Sequence, residues 1–454
     1  MTSHPAFKAY DIRGRLDSEI DKTFARALGL AVSRTFAPSR VVLGGDARAS
    51  SEALKAAVAN GLGAGLEIHD LGLCGTEEVY FATDHLGAEL GIMVTASHNP
   101  IDYNGMKIVG AGAAPLSNDG FRALEAEVAR LLAERALPNA DAPTITDASA
   151  TRGAYVARVL SFVDGVDFAP LHLVMNAGHG AAGPTLDAIL EGLGDTALRI
   201  TRVHHDPDAT FPAGIPNLLL PENHAATADI VRSEGADLGV AWDGDFDRCF
   251  FFDGTGQFIA GEYVVALLAQ AMLARFPNST IIHDPRVQWN TQSVVARAGG
   301  DAQVSRTGHA HLKAKMRAVD GAYGGEMSAH HYFREFMYCD TGMIPWLMVV
   351  ARMSETGASL AHLVDDMARA FPSSGEMNFT VENAAEIMEE IEAEHKAGDI
   401  DRLDGLSVAY PNWRFNLRRS STEPLLRLNV ETRGDRALLG AKVAELRARI
   451  TGEA

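Results

Sequence analysis

Asp243-Gly244-Asp245-Phe246-Asp247-Arg248 places three carboxylates at every second position, directly after the apolar run Leu238-Gly239-Val240-Ala241-Trp242. Like charges packed this closely repel unless a cation neutralises them. Oxygen-only donors favour a hard divalent ion such as Mg2+. Gly244 lets the backbone turn so that the carboxylates can converge. The same spacing opens an EF-hand loop, which needs Gly at its sixth position and Glu at its twelfth. Arg248 and Gly254 stand there, so that reading fails. A second polar loop, Thr95-Ala96-Ser97-His98-Asn99-Pro100, follows the apolar run Leu90 to Val94. The carboxyl ends of strands in open α/β sheets are where sites are built, and Pro100 keeps Asn99 out of helical geometry. Ser97 is therefore expected on an exposed loop. Read alone it is an ordinary serine in a turn, and no G-x-S-x-G elbow surrounds it to indicate a serine hydrolase.

Two further segments are rich in polar groups. Gly324 to His331 (GGEMSAHH) combines a carboxylate, a hydroxyl and two histidines, a mixed donor and acceptor set suited to a polyol such as a sugar ring. His330 has an imidazole whose ordinary pKa lies close to neutrality, so it can carry a proton. Arg418-Arg419-Ser420-Ser421-Thr422-Glu423-Pro424, continuing to Arg427, sets guanidiniums beside consecutive hydroxyls, the composition of a phosphate cradle. Judged singly, these segments are equally well a polar loop with a buried histidine and a solvated hairpin. Smaller candidates are Arg13 in Tyr10-Asp11-Ile12-Arg13-Gly14, Lys107 ten residues after Ser97, and His309 in Thr307-Gly308-His309.

The elements that must position these residues follow βαβ grammar. Arg40 to Asp46 predicts a buried strand ending in a loop, Ser51 to Gly65 a helix, and Leu66–Leu71 and Leu90–Val94 two more strands. The pattern recurs at Leu171–Met175 with a helix from about Thr185, and at Thr280–Ile282 with a helix from about Asn290. Three blocks of strand, polar loop and helix predict three similar α/β domains with mixed, mainly parallel sheets. The last segment differs: FTVEN, a Glu/Ala-rich helix from Ala384 to His395, LSVAYPNWRFNLRRSS, LLRLNVET and a final helix from about Asp435 predict a smaller α+β domain with an antiparallel sheet. The expected domains are 1–150, 151–253, 254–369 and 370–454.

Composition bounds the partners. The 454 residues carry 40 Lys+Arg against 59 Asp+Glu, a net charge of −19. Such a chain is a poor binder of nucleic acid or anionic membranes, so an anionic substrate needs a locally basic site. Cys74, Cys249 and Cys339 are too few and too scattered for a disulfide framework or zinc knuckle, and reduced buried thiols in the cytosol are expected. The sequence shows no run of 18 or more apolar residues and no secretory signal pattern at Met1 to Gly14, so no membrane span is expected.

Taken in order, YDIRG at 10–14, TASHNP at 95–100, DGDFDR at 243–248, GEMSAH at 325–330 and RRSSTEP at 418–424 resemble the α-D-phosphohexomutase superfamily, and their surroundings resemble its bacterial phosphomannomutase branch. The resemblance implies three α/β domains and a fourth α+β domain around a central cleft. It matches Ser97 to the phosphorylated serine, and Asp243, Asp245 and Asp247 to Mg2+ ligands, with the serine phosphate as a further ligand. Arg13, Lys107, Arg248 and His309 match residues near the transferring group, and His330 a proton carrier. Glu326 and Ser328 match groups that hold sugar hydroxyls. Tyr10, Arg418, Ser420, Ser421, Thr422 and Arg427 fall in segments that bind substrate, the last five around its non-reacting phosphate. One departure is visible: Ser421 stands where the family's phosphate loop commonly has Asn, which keeps a donor but alters geometry.

The implied reaction moves a phosphoryl group from phosphoserine to a hexose phosphate, through a hexose 1,6-bisphosphate that turns over and returns its other phosphate to Ser97. Either His330 or Lys107 can serve as the base. Three Asp and a phosphoserine of charge about −2 against Mg2+ leave about −3, which Arg13, Lys107 and Arg248 offset. Mannose phosphates are the leading substrates, glucose phosphates are compatible, and a phosphoglucosamine mutase and a Mg2+-dependent sugar phosphatase are the alternatives. A cytoplasmic monomer or homodimer is expected.

Overall fold

The computed structural model describes residues 4–134, 137, 142–286, 288–419 and 425–453. The chain divides into two compact units. The first comprises residues 1–258 and 330–357, the second 259–329 and 358–454.

The first unit holds two mixed sheets. Strands β1 (Ile12–Arg15), β2 (Arg40–Gly45), β3 (Glu67–Leu73), β4 (Leu90–Val94), β5 (Tyr103–Gly110) and β6 (Thr144–Asp147) lie in the order β1-β5-β4-β2-β3-β6. β2 runs parallel to β3 and β4, while β5 is antiparallel to both β4 and β1. The crossovers between β2, β3 and β4 are the helices Ser51–Leu62 and Thr76–His85. β2 and β4 are apolar almost throughout because both of their faces are covered, as a parallel sheet between helices requires. In the second sheet β7 (His172–Asn176), β8 (Arg199–Val203), β9 (Leu238–Trp242), β10 (Cys249–Asp253) and β11 (Phe258–Ile259) lie in the order β11-β10-β9-β7-β8. β7 is parallel to β8 and β9; β10 turns back antiparallel to β9, pairing Cys249 with Trp242. The helix after β7 begins at Ala182, ahead of the expected Thr185. Pro184 is no obstacle, because in a first turn its missing N–H has no intrahelical partner to lose.

Residues 330–357 return to this unit after an excursion of the chain. They form the antiparallel pair β15 (His331–Phe333) and β16 (Cys339–Asp340) and the helix Met343–Thr356, whose Ile344, Trp346, Leu347, Val349 and Val350 are fully buried. Glu77, itself buried, anchors the return: its carboxylate accepts from Tyr155 and from the Gly342 amide.

In the second unit β12 (Thr280–His283) runs parallel to β13 (Asp301–Val304) and β14 (Tyr323–Gly325). The C-terminal sheet of β17 (Met377–Thr380), β18 (Asp399–Asp401), β19 (Leu406–Ala409), β20 (Trp413–Arg419) and β21 (Leu425–Thr432) is antiparallel, in the order β17-β21-β20-β19-β18. The stretch expected as LSVAYPNWRFNLRRSS is two strands. The Tyr410-Pro411-Asn412 turn separates them, with Tyr410 donating its amide to the Trp413 carbonyl at 2.9 Å. Helices Ala384–Glu394 and Arg436–Thr451 supply Ile387, Ile391, Leu446 and Ile450 to the core beneath this sheet. All three cysteines are buried free thiols.

Candidate active site

Two fully buried strands deliver the chemistry-bearing loops of the first unit: β4 leads into Thr95-Ala96-Ser97, and β9 leads into Asp243 to Asp247. Both loops need unusual backbone. Ser97 has φ 48° and Phe246 has φ 44°, in the left-handed region that non-glycine residues rarely occupy. Phe246 is held there by packing: its ring lies against Gly75, where an added Cβ would come within 2.2 Å. On the other side Gly180 meets the aspartate loop so closely that a Cβ there would sit 2.6 Å from the Gly244 carbonyl.

Ser97 is buried, not exposed as expected. Its Oγ donates to Asp243 Oδ2 at 2.5 Å and accepts from Arg248 Nη2 at 3.1 Å. Arg248 also grips Asp243 Oδ2 through Nε at 2.9 Å and Nη2 at 2.6 Å. Lys107, on β5, donates to Asp245 Oδ2 at 2.7 Å and to Asp247 Oδ2. Arg13, on β1, reaches the loop through Asn99 Oδ1 at 2.8 Å. His330 lies with Nδ1 3.1 Å from Asp340 Oδ2 and 3.9 Å from Asp247 Oδ1. Tyr10 is half-buried in the bend ahead of β1.

The electrostatics divide the three aspartates. Burial raises the Asp243 carboxyl, with Asp247 and Asp245 repelling it and Arg248 pulling the other way. Burial also disfavours charge on Asp245, but Lys107 overrides it and the net shift is downward. Lys107 is buried as well, yet the two carboxylates hold it protonated well above the usual lysine range. A lysine held charged this way acts as a cation while both carboxylates face it.

The second unit gathers the remaining candidates. The Gly308 amide, just before the helix His309–Val319, donates to Glu326 Oε1 at 2.8 Å, so His309 and Glu326 are neighbours in the fold. His309 belongs to this unit. Ser328 Oγ is 3.4 Å from Arg286 Nη2. Arg418 and Arg427 face each other across β20 and β21, and both approach Glu376, at 3.2 and 3.5 Å. Ser420, Ser421 and Thr422 lie outside the described residues.

This arrangement has known counterparts. Four consecutive domain signatures match: phosphoglucomutase/phosphomannomutase alpha/beta/alpha domain I over residues 4–135, domain II over 154–256, domain III over 260–371, and the C-terminal domain over 376–449. The chain belongs to the phosphoglucomutase/phosphomannomutase family. It is 52% identical over 446 residues to a protein of Xanthomonas campestris pv. campestris named phosphohexose mutases, covering 97% of this chain and 98% of that one. It is 50% identical over 462 residues to the phosphomannomutase of Salmonella typhimurium, covering 99% of each. The crystal structure of a phosphoglucomutase/phosphomannomutase family protein from Burkholderia thailandensis superposes with a TM-score of 0.86 at 30% identity, over 100% of this chain and 98% of that one. Family membership makes the chain an isomerase of the phosphohexomutase type. Among the described residues no helix is long and apolar enough to cross a membrane.

The first unit of this phosphohexomutase has a place for a metal ion. Carboxylate oxygens of Asp243, Asp245 and Asp247 lie within 4.8 Å of one another. Each Asp directs one oxygen, Oδ2, at a cation or hydroxyl, and each leaves its Oδ1 buried without a hydrogen-bond partner. Three orphaned carboxylate oxygens in one pocket are a costly arrangement unless an ion completes it, and the donor set suits a hard divalent cation.

Sequence reasoning passed over several residues that the fold brings to these sites. His98 presents Nδ1 at 3.1 Å to Ser97 Oγ and also meets Arg248; burial, then Arg248 and Arg13, push its pKa well down, so it stands neutral. Arg48 is the central support of the serine loop. Its Nη2 donates to the carbonyls of Ser97 at 2.9 Å and Asn99 at 2.6 Å, and its Nη1 to those of Pro100 at 2.8 Å and Tyr103 at 3.1 Å. Asp46 sits 3.5 Å from Arg48 Nε and accepts from Thr95 Oγ1 at 2.7 Å, and Thr95 Oγ1 in turn accepts from the Ser97 amide at 2.9 Å. Thr76, first residue of its helix, pins Asp245 twice, through Oγ1 to Oδ2 at 2.6 Å and through its amide to the Asp245 carbonyl at 3.1 Å. Asp46 and Arg48 did carry a signal, a charged pair in the loop after a buried strand.

Proposed function

We propose that this chain is a phosphomannomutase, interconverting mannose 6-phosphate and mannose 1-phosphate, with Mg2+ as its metal and a hexose 1,6-bisphosphate as intermediate. The observation that carries the reading is Ser97 Oγ held on Asp243 and Arg248, beside three buried carboxylate oxygens that lack partners. A serine so placed can exchange a phosphoryl group.

Asp243, Asp245 and Asp247 would hold the metal together with an oxygen of phosphorylated Ser97. When bound, the ion would neutralise charge on the transferring oxygens. The chain's own residues do the rest. Arg248 bridges Asp243 and Ser97 Oγ, so its guanidinium lies beside the bond that breaks. In transfer, the Ser97 Oγ–phosphorus bond breaks as a bond from a sugar hydroxyl oxygen to phosphorus forms. The hydroxyl proton passes to His330, whose Nδ1 is oriented by Asp340. The second half reverses these steps with the intermediate's other phosphate. Glu326 and Ser328 would contact sugar hydroxyls, and Arg418 and Arg427 the phosphate that does not react.

Sugar choice is tested by parallel assay of mannose, glucose and glucosamine 1-phosphates with catalytic bisphosphate present. The reading predicts the highest kcat/KM for mannose 1-phosphate. Release of inorganic phosphate matching sugar phosphate consumption would overturn it in favour of a phosphatase. Intact-mass measurement supplies a check on the group itself: a phosphate adduct is expected in the native chain and absent in Ser97→Ala.

A further inference from the structure

Three arginines of the second unit converge on one carboxylate. Glu376, just ahead of β17, accepts at Oε2 from Arg286 Nη1 at 3.0 Å and from Arg418 Nη2 at 3.2 Å, and its Oε1 lies 3.5 Å from Arg427 Nη1. The arginines come from three different places: Arg286 follows β12, Arg418 is the last residue but one of β20 and Arg427 the third of β21. Burial would favour the neutral acid at Glu376, yet the guanidiniums hold its pKa below the ordinary range, so it is an anion. Arg286 has a second carboxylate of its own, Asp284 Oδ2 at 2.6 Å. Arg418 has nothing comparable: Asp404 is 4.0 Å away, and its Nε is buried without a hydrogen-bond partner. Among the described residues Glu376 is thus a close anion shared by Arg418 and Arg427, the pair assigned above to the non-reacting phosphate.

We propose that Glu376 is a resident counter-anion of this phosphate cradle, holding its guanidiniums when no phosphate is bound and weakening the grip on a phosphate when one is. The proposal rests on the reading of Arg418 and Arg427 as the cradle. A mutase whose bisphosphate intermediate must exchange one phosphate for the other needs this second property. Three guanidiniums without an internal anion would bind a phosphate dianion tightly and release it slowly. A carboxylate already among them lowers the local positive charge and supplies an acceptor for the donors that a departing phosphate vacates. Glu376 acts through the arginines and not on the reacting atoms, so it is a positioning residue.

The test is competitive inhibition by inorganic phosphate, measured with KM and kcat on the full chain. Glu376→Gln keeps the shape and removes the charge. Its inhibition constant for phosphate is expected to fall about three- to tenfold, the size of one partly exposed ion pair, with KM falling in parallel and kcat falling because release slows. A purely structural role would reduce activity without tightening phosphate. Glu376→Asp, which keeps the charge but withdraws it by one methylene, is expected to give a smaller fall, and it carries the test if the Gln variant melts below assay temperature. Arg418→Ala separates the two claims. If it raises the inhibition constant while Glu376→Gln and Glu376→Asp leave it unchanged or raise it, the counter-anion role is overturned and the cradle stands. If Arg418→Ala leaves the constant unchanged, the cradle itself is overturned and the counter-anion with it.

Discussion

The serine–aspartate centre of the first unit and the arginine cluster of the second are both dense in charge, yet they are held in opposite ways. Around Ser97 several partners share the work: Thr76 and Lys107 fix Asp245, Arg248 fixes Asp243, and Arg48 fixes the loop carbonyls. The side chains of Asp243, Asp245 and Asp247 are at most 1% exposed. In the cluster around Glu376, one carboxylate serves three guanidiniums, and Arg418 and Arg427 are 14% and 28% exposed. The first arrangement suits groups that must not move while a bond is exchanged, since preorganised charge stabilises a transition state without rearranging. The second suits groups that must accept and release an anion, since its donors are satisfied only in part.

The sharpest way to break this contrast is at the carboxylates of Asp243, Asp245 and Asp247. Asp245→Asn is expected to lower kcat by about a thousandfold or more while thermal melting shifts little. Chelation of wild-type protein should abolish turnover, with Mg2+ restoring it. Wild-type activity in Asp245→Asn would remove the metal assignment. Next comes the rigidity of the serine loop. Arg48→Ala should lower kcat about a hundredfold at nearly unchanged KM, because a displacement near 1 Å is enough for a loss of that order. Added guanidinium ion at millimolar concentration should restore part of the rate, and failure of any rescue in a folded variant would count against positioning by Arg48. Arg418→Ala probes the exchangeable side. KM is expected to rise about tenfold with kcat little changed, and a fall confined to kcat would contradict the recognition role. The smallest effect is expected from Thr76→Val, which removes one hydrogen bond to Asp245. A loss of about 1 kcal/mol in stability and a severalfold fall in kcat are expected from melting curves and steady-state rates.

The contrast also explains what could be read from the chain beforehand. Strands β4 and β9 were visible because continuous apolar runs end abruptly in polar loops, and Ser97 and the three aspartates are local patterns within those loops. The C-terminal antiparallel sheet announced itself by its change of rhythm. The supports were invisible for a physical reason. Thr76 meets Asp245 across 169 positions of sequence and Arg48 meets Ser97 across 49, and neither pairing leaves a local trace. Glu376 is one acid among 59 acidic residues and becomes distinctive only once three arginines surround it. Lys107 was a candidate by residue type, and its two carboxylate partners, 138 and 140 positions away, left no local trace. Ser97 was expected at the surface because the loop was polar, but the polarity is consumed internally by Asp243, Arg248 and Arg48.

The return of residues 330–357 to the first unit sets an order of events during synthesis. A nascent chain that has emerged as far as Phe258 carries Asp243, Asp245, Asp247 and Ser97, but not the helix Met343–Thr356 or the Gly342 amide that meets Glu77. Until about a hundred more residues follow, the bed of that helix is uncovered and His330 does not yet exist. The growing polypeptide therefore passes through a stage that has the aspartate cluster but neither His330 nor the cover of that helix, with apolar surface open to chaperones.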